Sequence, residues 1–150
     1  MHELIKNVAS LPDVEIGQTP EDFRIIAERS LEVQEKVIYY IGSVELLLEA
    51  YEQAYEDTYY IPTRIERHIL VKMLAPDSPV MRSYQASDAA QVRHTKALPA
   101  TVVMDYSVMV HDDRVVFFAK DPALYALSIT SASIAQTMKA LFNAIWESVP

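Results

Sequence analysis

Two short apolar runs constrain this chain more than anything else in it. Val37-Ile38-Tyr39-Tyr40-Ile41 is an unbroken β-branched and aromatic stretch, and Gly42-Ser43 stops it. Ile69-Leu70-Val71-Lys72-Met73-Leu74 is the second, ended by Ala75-Pro76-Asp77-Ser78-Pro79. Short continuous runs of this kind suit strands covered on both faces. Between them lies a helical pattern. Ser43 is placed to cap it, and Val44, Leu47, Leu48, Tyr51 and Tyr55 recur along one side. Glu45, Glu49, Glu52 and Glu56 take the other side. Pro62 breaks or restarts this helix and pushes Ile61 towards extended geometry.

The remaining segments extend the alternation. Val14-Glu15-Ile16 predicts a short strand ending at Gly17. Thr19-Pro20-Glu21-Asp22 then reads as a helix start, with a capping hydroxyl, an N1 proline and acids in the first turn. That helix runs to about Gln34, with Phe23, Ile26, Ala27, Ser30 and Leu31 inward. A weakly patterned polar helix is expected from Pro79 to Lys96. Thr101 to Val110 forms a strand, His111-Asp112-Asp113 a turn, and Arg114 to Ala119 the hairpin partner. Leu124 to Thr130 is a further strand. Ser131 caps a last helix whose stripe is Ile134, Met138, Leu141, Phe142, Ile145 and Val149. Alternation followed by a meander predicts an α/β fold: a mixed sheet with helices on its faces. Residues 1–13 form a lead (Leu4, Ile5, Val8 and Leu11, closed by Pro12), and residues 14–150 one domain.

Composition removes several functions. One hundred and fifty residues suit a single domain. With only two glycines, Gly17 and Gly42, no glycine-rich phosphate loop can be built. With no cysteine there is no disulfide, thiolate metal site or cysteine nucleophile, which fits a reducing cytoplasm. The net charge is −8, and residues 1–75 hold 14 of the 21 acids. Nucleic-acid binders carry a basic stripe, so direct nucleic-acid binding is not expected. No run reaches the roughly 18 apolar residues of a membrane span. The four histidines form no HxxxH or HExxH pair, and neither a metal nor a cofactor is implied.

Few residues point to chemistry. His94-Thr95-Lys96 resembles the start of the HxKxxxxD motif of phospholipase D-like enzymes, but Thr101 stands where the aspartate belongs, and a polar-helix end is expected there. His68, at a helix end, and Asp112, in a turn, sit where positive φ is needed, which both residue types tolerate. Asp112, Asp113 and Asp121 read as turn formers. Six of the nine tyrosines lie between Tyr39 and Tyr60, a composition suited to a core rim, an interface or a ligand pocket. No catalytic residue is assigned. In sheets of this kind ligands bind beyond the carboxyl ends of the parallel strands. Two of those ends are Gly42-Ser43 and Ala75-Pro76-Asp77-Ser78, where the helix starts at Ser43 and Ser78 offer N–H groups to an anionic or hydroxylated ligand.

The ordered segments resemble the C-terminal effector domain of TrmB-like transcriptional regulators. The resemblance covers roughly Val14 to Val149. Its most specific parts are Ala75-Pro76-Asp77-Ser78-Pro79, with Tyr60, Ile61, Arg64, Ile65 and Ile69 before it, and the final helix with Ser131, Ile134, Ala135, Thr137, Leu141, Phe142, Trp146 and Glu147. Arg93 to Pro99 and His111-Asp112-Asp113-Arg114-Val115 match further segments, although the family has glycine where His68 and Asp112 stand. The resemblance implies a phospholipase D-like mixed sheet flanked by helices on both faces. It also implies a non-catalytic sensor that forms a homodimer and responds to a small-molecule effector or a partner. Such regulators carry an N-terminal winged helix-turn-helix, and only the 13-residue lead precedes this domain. The chain is then expected to be either a stand-alone effector domain or one separated from its reader, with a full-length regulator carrying the DNA-binding domain as a partner. The alternative is a phospholipase D-like phosphodiesterase, degenerate or active, using His94 and Lys96.

Overall fold

The computed structural model describes residues 11–150. The expected amphipathic lead at Leu4, Ile5 and Val8 lies outside the described residues. Seven strands form one mixed sheet in the order β1-β7-β6-β5-β2-β3-β4. They are β1 (Asp13–Gly17), β2 (Val37–Ile41), β3 (Leu70–Pro76), β4 (Arg93–Leu98), β5 (Ser107–His111), β6 (Arg114–Ala119) and β7 (Tyr125–Thr130). Strands β2, β3 and β4 run parallel, and the other pairs are antiparallel. The helices are α1 (Pro20–Ser30), α2 (Val44–Tyr51), α3 (Gln53–Tyr55), α4 (Ile61–Glu66), α5 (Pro79–Ala86) and α6 (Ala132–Ser148), with a π-helical turn at Glu56–Tyr60.

Both faces of the sheet are covered, as the unbroken run at β2 requires. Ile38 and Tyr40 point to one face, where they join Val71, Met73, Met109, Val116 and Phe118 in a core closed by α1, α2 and α4. Tyr39 and Ile41 point to the other, where α6 supplies Phe142, Trp146 and Ala135. The Thr19 cap forms as expected: its hydroxyl accepts from Asp22 N–H, and the Asp22 carboxylate accepts from Gln18 and Thr19 N–H. His68 and Asp112 adopt φ of 57° and 51°. The Asp112 carboxylate also accepts from the N–H groups of Gln34 and Glu35, tying the β5–β6 turn to the start of β2.

Three segments depart from expectation. The polar helix ends at Ala86, and Arg93–Leu98 is an edge strand. Residues 101–106 carry no strand, so β5 starts at Ser107. The helix after β2 stops at Tyr51, where Glu52 takes φ 46° and shifts the helical phase. Glu56, expected outside, is thereby turned in and is 3% exposed. Ile61 stays helical ahead of Pro62, because the preceding turn is π-helical. An i→i−5 bond from Ile61 N–H to the Glu56 carbonyl widens the helix just where the proline ring would meet a carbonyl.

Candidate functional site

The carboxyl ends of β2 and β3 lie side by side, and Gly42 N–H donates to the Leu74 carbonyl at 2.9 Å. Gly42 takes φ 147°, and a Cβ there would run into Ser107 at the start of β5. The close approach is therefore open only to glycine. The Tyr40 phenol reaches up from the core and donates to the Ser43 carbonyl at 2.7 Å, fixing this corner from below. Burial pushes the Tyr40 pKa up, so the phenol keeps its proton.

Beside the corner opens a cleft of about 470 Å³. Helix α2 and its N-cap contribute Ser43, Glu45, Leu46 and Glu49 to it. The loop before β5 adds Met104, Asp105 and Tyr106, and the end of β6 adds Ala119, Lys120 and Asp121. Lys120 and Glu49 form an exposed ion pair at 2.9 Å across it. The Tyr106 and Tyr125 hydroxyls meet at 2.7 Å beside the opening. Four carboxylates against one ammonium give the lining a negative field, which disfavours an anion and suits an uncharged hydroxylated or a cationic molecule.

Of the residues expected to bind a ligand, Ser43 lines this cleft, and Gly42 is not part of the lining. Pro76, Asp77 and Ser78 form the neighbouring β3–α5 corner. The Asp77 carboxylate takes two hydrogen bonds of 2.7 Å from Arg82, which hold its pKa below the usual carboxylate range. The hydroxyls of Ser43 and Ser78 accept from Leu46 and Met81 N–H at 3.1 Å, so both act as helix caps. Glu45, Glu49, Asp105, Tyr106, Lys120 and Asp121 were not assigned to a site from the sequence. The acidic side of α2 was visible as a pattern, but the others come from separate loops with no spacing to betray them.

The placement of His94 and Lys96 needs correction, because they lie on a strand. Alternation along β4 points both at α6. The His94 ring meets the Trp146 ring edge-on at 4.9 Å, and the Lys96 ammonium sits 4.5 Å above it. Lys96 also donates to the carbonyls of Trp146 and Val149, at 3.0 and 3.2 Å, neutralising the carboxyl end of α6. Among the described residues no group of three or more His, Asp or Glu side chains could hold a metal ion. No helix among them is long and apolar enough to cross a membrane.

The seven-stranded mixed sheet with helices on both faces is the phospholipase D-like fold. Solved structures at low sequence identity carry it. One is TrmBL2, described as an archaeal chromatin protein with a novel mode of DNA binding, matched at a TM-score of 0.63 and 15% identity over 99% of this chain. This chain spans 58% of the length of TrmBL2. A second is Nuc, a phospholipase D family member from Salmonella typhimurium, at 0.61 and 13%, covering 93% of this chain and 97% of Nuc. A third is NucT from Helicobacter pylori, at 0.64 and 13%, covering 92% of this chain and 98% of NucT. No protein-family model matches the chain, and no curated protein matches its sequence. The fold is thus common to a chromatin protein and to a phospholipase D family member, and by itself carries neither function.

Proposed function

We propose that this chain is a non-catalytic effector domain of the TrmB type, and that the cleft beyond β2 takes its small-molecule effector. The observation that carries this reading is the cleft of about 470 Å³ at the carboxyl end of a parallel strand, lined by carboxylates, tyrosine and one lysine. The volume falls within the usual range for small-molecule sites. In this reading the domain works in the cytoplasm as a homodimer or beside a full-length regulator, and DNA is contacted by that regulator's reader. Thermal shift against a panel of uncharged polyols, amines and small organic acids tests it. Polyols or amines should raise Tm at millimolar concentration, organic acids should not, and Glu49→Gln should weaken the effect of an amine at least about fivefold, the loss of roughly 1 kcal/mol of charge attraction. A panel with no stabilising member overturns the site.

The strand placement of His94 and Lys96 favours a second reading, a phospholipase D-like phosphodiesterase, since both face one side of β4 as a phosphate grip would. The commitment of Lys96 to two carbonyls speaks against it. Hydrolysis of bis(p-nitrophenyl) phosphate decides between them. Measurable turnover that His94→Ala abolishes would establish the enzyme.

A further inference from the structure

A second cavity lies inside the fold, on the other side of α2. It measures about 30 Å³ and is lined by residues of α2, the π-helical turn, α4, α5, β2, β3, β4 and β5. Glu56 is 3% exposed within it. Among the described residues nothing bonds to Glu56 Oε1 or to the buried Tyr51 hydroxyl, and the buried Tyr84 hydroxyl lies in the same lining. The two arginines that border the cavity are engaged elsewhere. Arg64 donates to the carbonyls of Ile69 at 2.7 Å, Val92 at 2.9 Å and Gln91. Arg93 donates to Asp88, to the Gln91 side chain and to the Tyr84 carbonyl. Among the described residues neither forms an ion pair with Glu56.

A buried carboxylate without an ion-pair partner is far less favourable than the neutral acid. Burial pushes the Glu56 pKa up to about 7, against the pull of the Arg64 and Arg93 charges and with a small addition from Asp57. The charged and titratable groups facing it are Tyr40 from β2, Tyr51 from α2, Asp57 and Tyr60 from its own turn, Arg64 from α4, Tyr84 from α5 and Arg93 from β4. The phenols are all pushed up by burial and stay protonated at neutral pH, so none competes with Glu56 for the proton. The space exceeds the roughly 10–15 Å³ that one water molecule needs, and it offers the polar partners a water requires.

We propose that this cavity is a proton-linked hydration site: it holds one or two ordered waters against Glu56, Tyr51 and Tyr84 while Glu56 is a carboxylic acid, and release of that proton draws in more water and loosens the π-helical turn and α2. The turn is suited to yield. Its π-type bonds follow a break at Glu52 with φ 46°, a combination that marks a locally weak stretch of helix. Helix α2 is common to cavity and cleft. Leu47 and Tyr51 face inward, whereas Glu45, Glu49 and the capping Ser43 line the cleft, so a loosened α2 carries the proton state to the cleft. The proposal holds whether or not the cleft binds an effector.

Infrared difference spectroscopy of the whole chain between pH 6 and pH 8 tests the proton. A buried carboxylic-acid band should be present at pH 6, lost at pH 8 and absent from Glu56→Gln; no such band at pH 6 overturns the proposal. Hydrogen exchange, corrected for intrinsic rates, should quicken in residues 44–66 from pH 6 to pH 8 in the wild type and not in Glu56→Gln. Equal protection at both pH values overturns the loosening. Should Glu56→Gln fail to fold, the wild-type band and exchange decide on their own, with Tyr51→Phe expected to shift the band. A high-resolution crystal structure at pH 6 tests the water, and a cavity without density overturns the hydration.

Discussion

His68 and Asp112 hold left-handed backbone at φ 57° and 51°, a region that L side chains other than Asn and Asp enter at about 1–2 kcal/mol. The two positions nevertheless answer differently to glycine. His68 is exposed and its side chain makes no hydrogen bond among the described residues, so His68→Gly should stabilise the fold by about 0.5 kcal/mol, the strain relieved less the entropy glycine adds to the unfolded chain. Asp112 grips the N–H groups of Gln34 and Glu35, so Asp112→Gly should destabilise by about 1–2 kcal/mol despite its easier backbone. Urea unfolding of the two variants checks the opposite signs, and a stabilised Asp112→Gly would show that the grip contributes nothing. Gly42 is the converse case. With φ 147° and Ser107 against the missing Cβ, Gly42→Ala should cost about 2–4 kcal/mol, read as a lower unfolding midpoint. The turn roles of His68, Asp112 and Gly42 were legible in sequence because each depends on local backbone. The identity of Gly42's crowding neighbour, 65 positions away, was not.

At the scale of elements, legibility tracks how much of a segment's stability comes from apolar alternation. Strands β2 and β6 follow the sequence pattern because burial of Val, Ile, Tyr and Phe sets them. The caps of α1, α2 and α6 follow it because each needs only one local hydroxyl, Thr19, Ser43 or Ser131, accepting from a nearby N–H. Strand β4 does not. Its inward positions are Arg93, Thr95 and Leu98, and polar bonds stand in for apolar contacts. Asp88 accepts from Thr95 N–H at 2.7 Å, from the Thr95 hydroxyl at 2.9 Å and from Arg93 at 2.9 Å, and Gln85 donates to the Thr95 carbonyl. Nothing in a polar stretch announces that its charges meet each other across a turn. Val92, a β-branched residue at φ 50°, opens the strand, and Arg64 holds its carbonyl. Asp88→Ala would leave buried Arg93 short of a partner. It should destabilise by about 2–4 kcal/mol and speed amide exchange in residues 93–98 more than elsewhere. Uniform exchange across the sheet would show that Asp88 is not the anchor of β4. The cleft was half legible for a related reason. Its floor follows from the rule about parallel strand ends, whereas its walls are two loops that only the folded sheet brings together.

For the whole molecule, two buried groups set opposing dependences on pH. His111 ends β5 at 2% exposure, and burial, with Arg114 nearby, lowers its pKa to about 4. Its other charged neighbours are Asp112, Asp113 and Lys139. Below pH 6.5 the unfolded chain protonates this histidine while the folded chain does not, so stability falls as pH drops from 6.5 towards 4. Glu56 acts in reverse. The unfolded chain releases its proton near pH 4.5 and the folded chain near 7, so stability falls as pH rises across that interval. The two windows overlap between pH 4.5 and 6.5, with similar magnitudes and opposite signs. The surface carboxyls of Glu15, Asp22 and Asp77, with lowered pKa values, act only below pH 4.5. The wild-type unfolding midpoint should therefore be nearly flat from pH 4.5 to 6.5 and decline slightly to 7. Glu56→Gln removes one arm, and its midpoint should climb with pH. The unfolding constant of the wild type relative to Glu56→Gln should rise on the order of a hundredfold between pH 4.5 and 7.5. His111→Gln removes the other arm, and its midpoint should fall over the same range. Urea titrations at four pH values read all three curves. Wild type and Glu56→Gln running parallel would mean that Glu56 ionises in the folded chain as it does in the unfolded one, and the flat wild-type profile would then need another cause than the balance of these two groups.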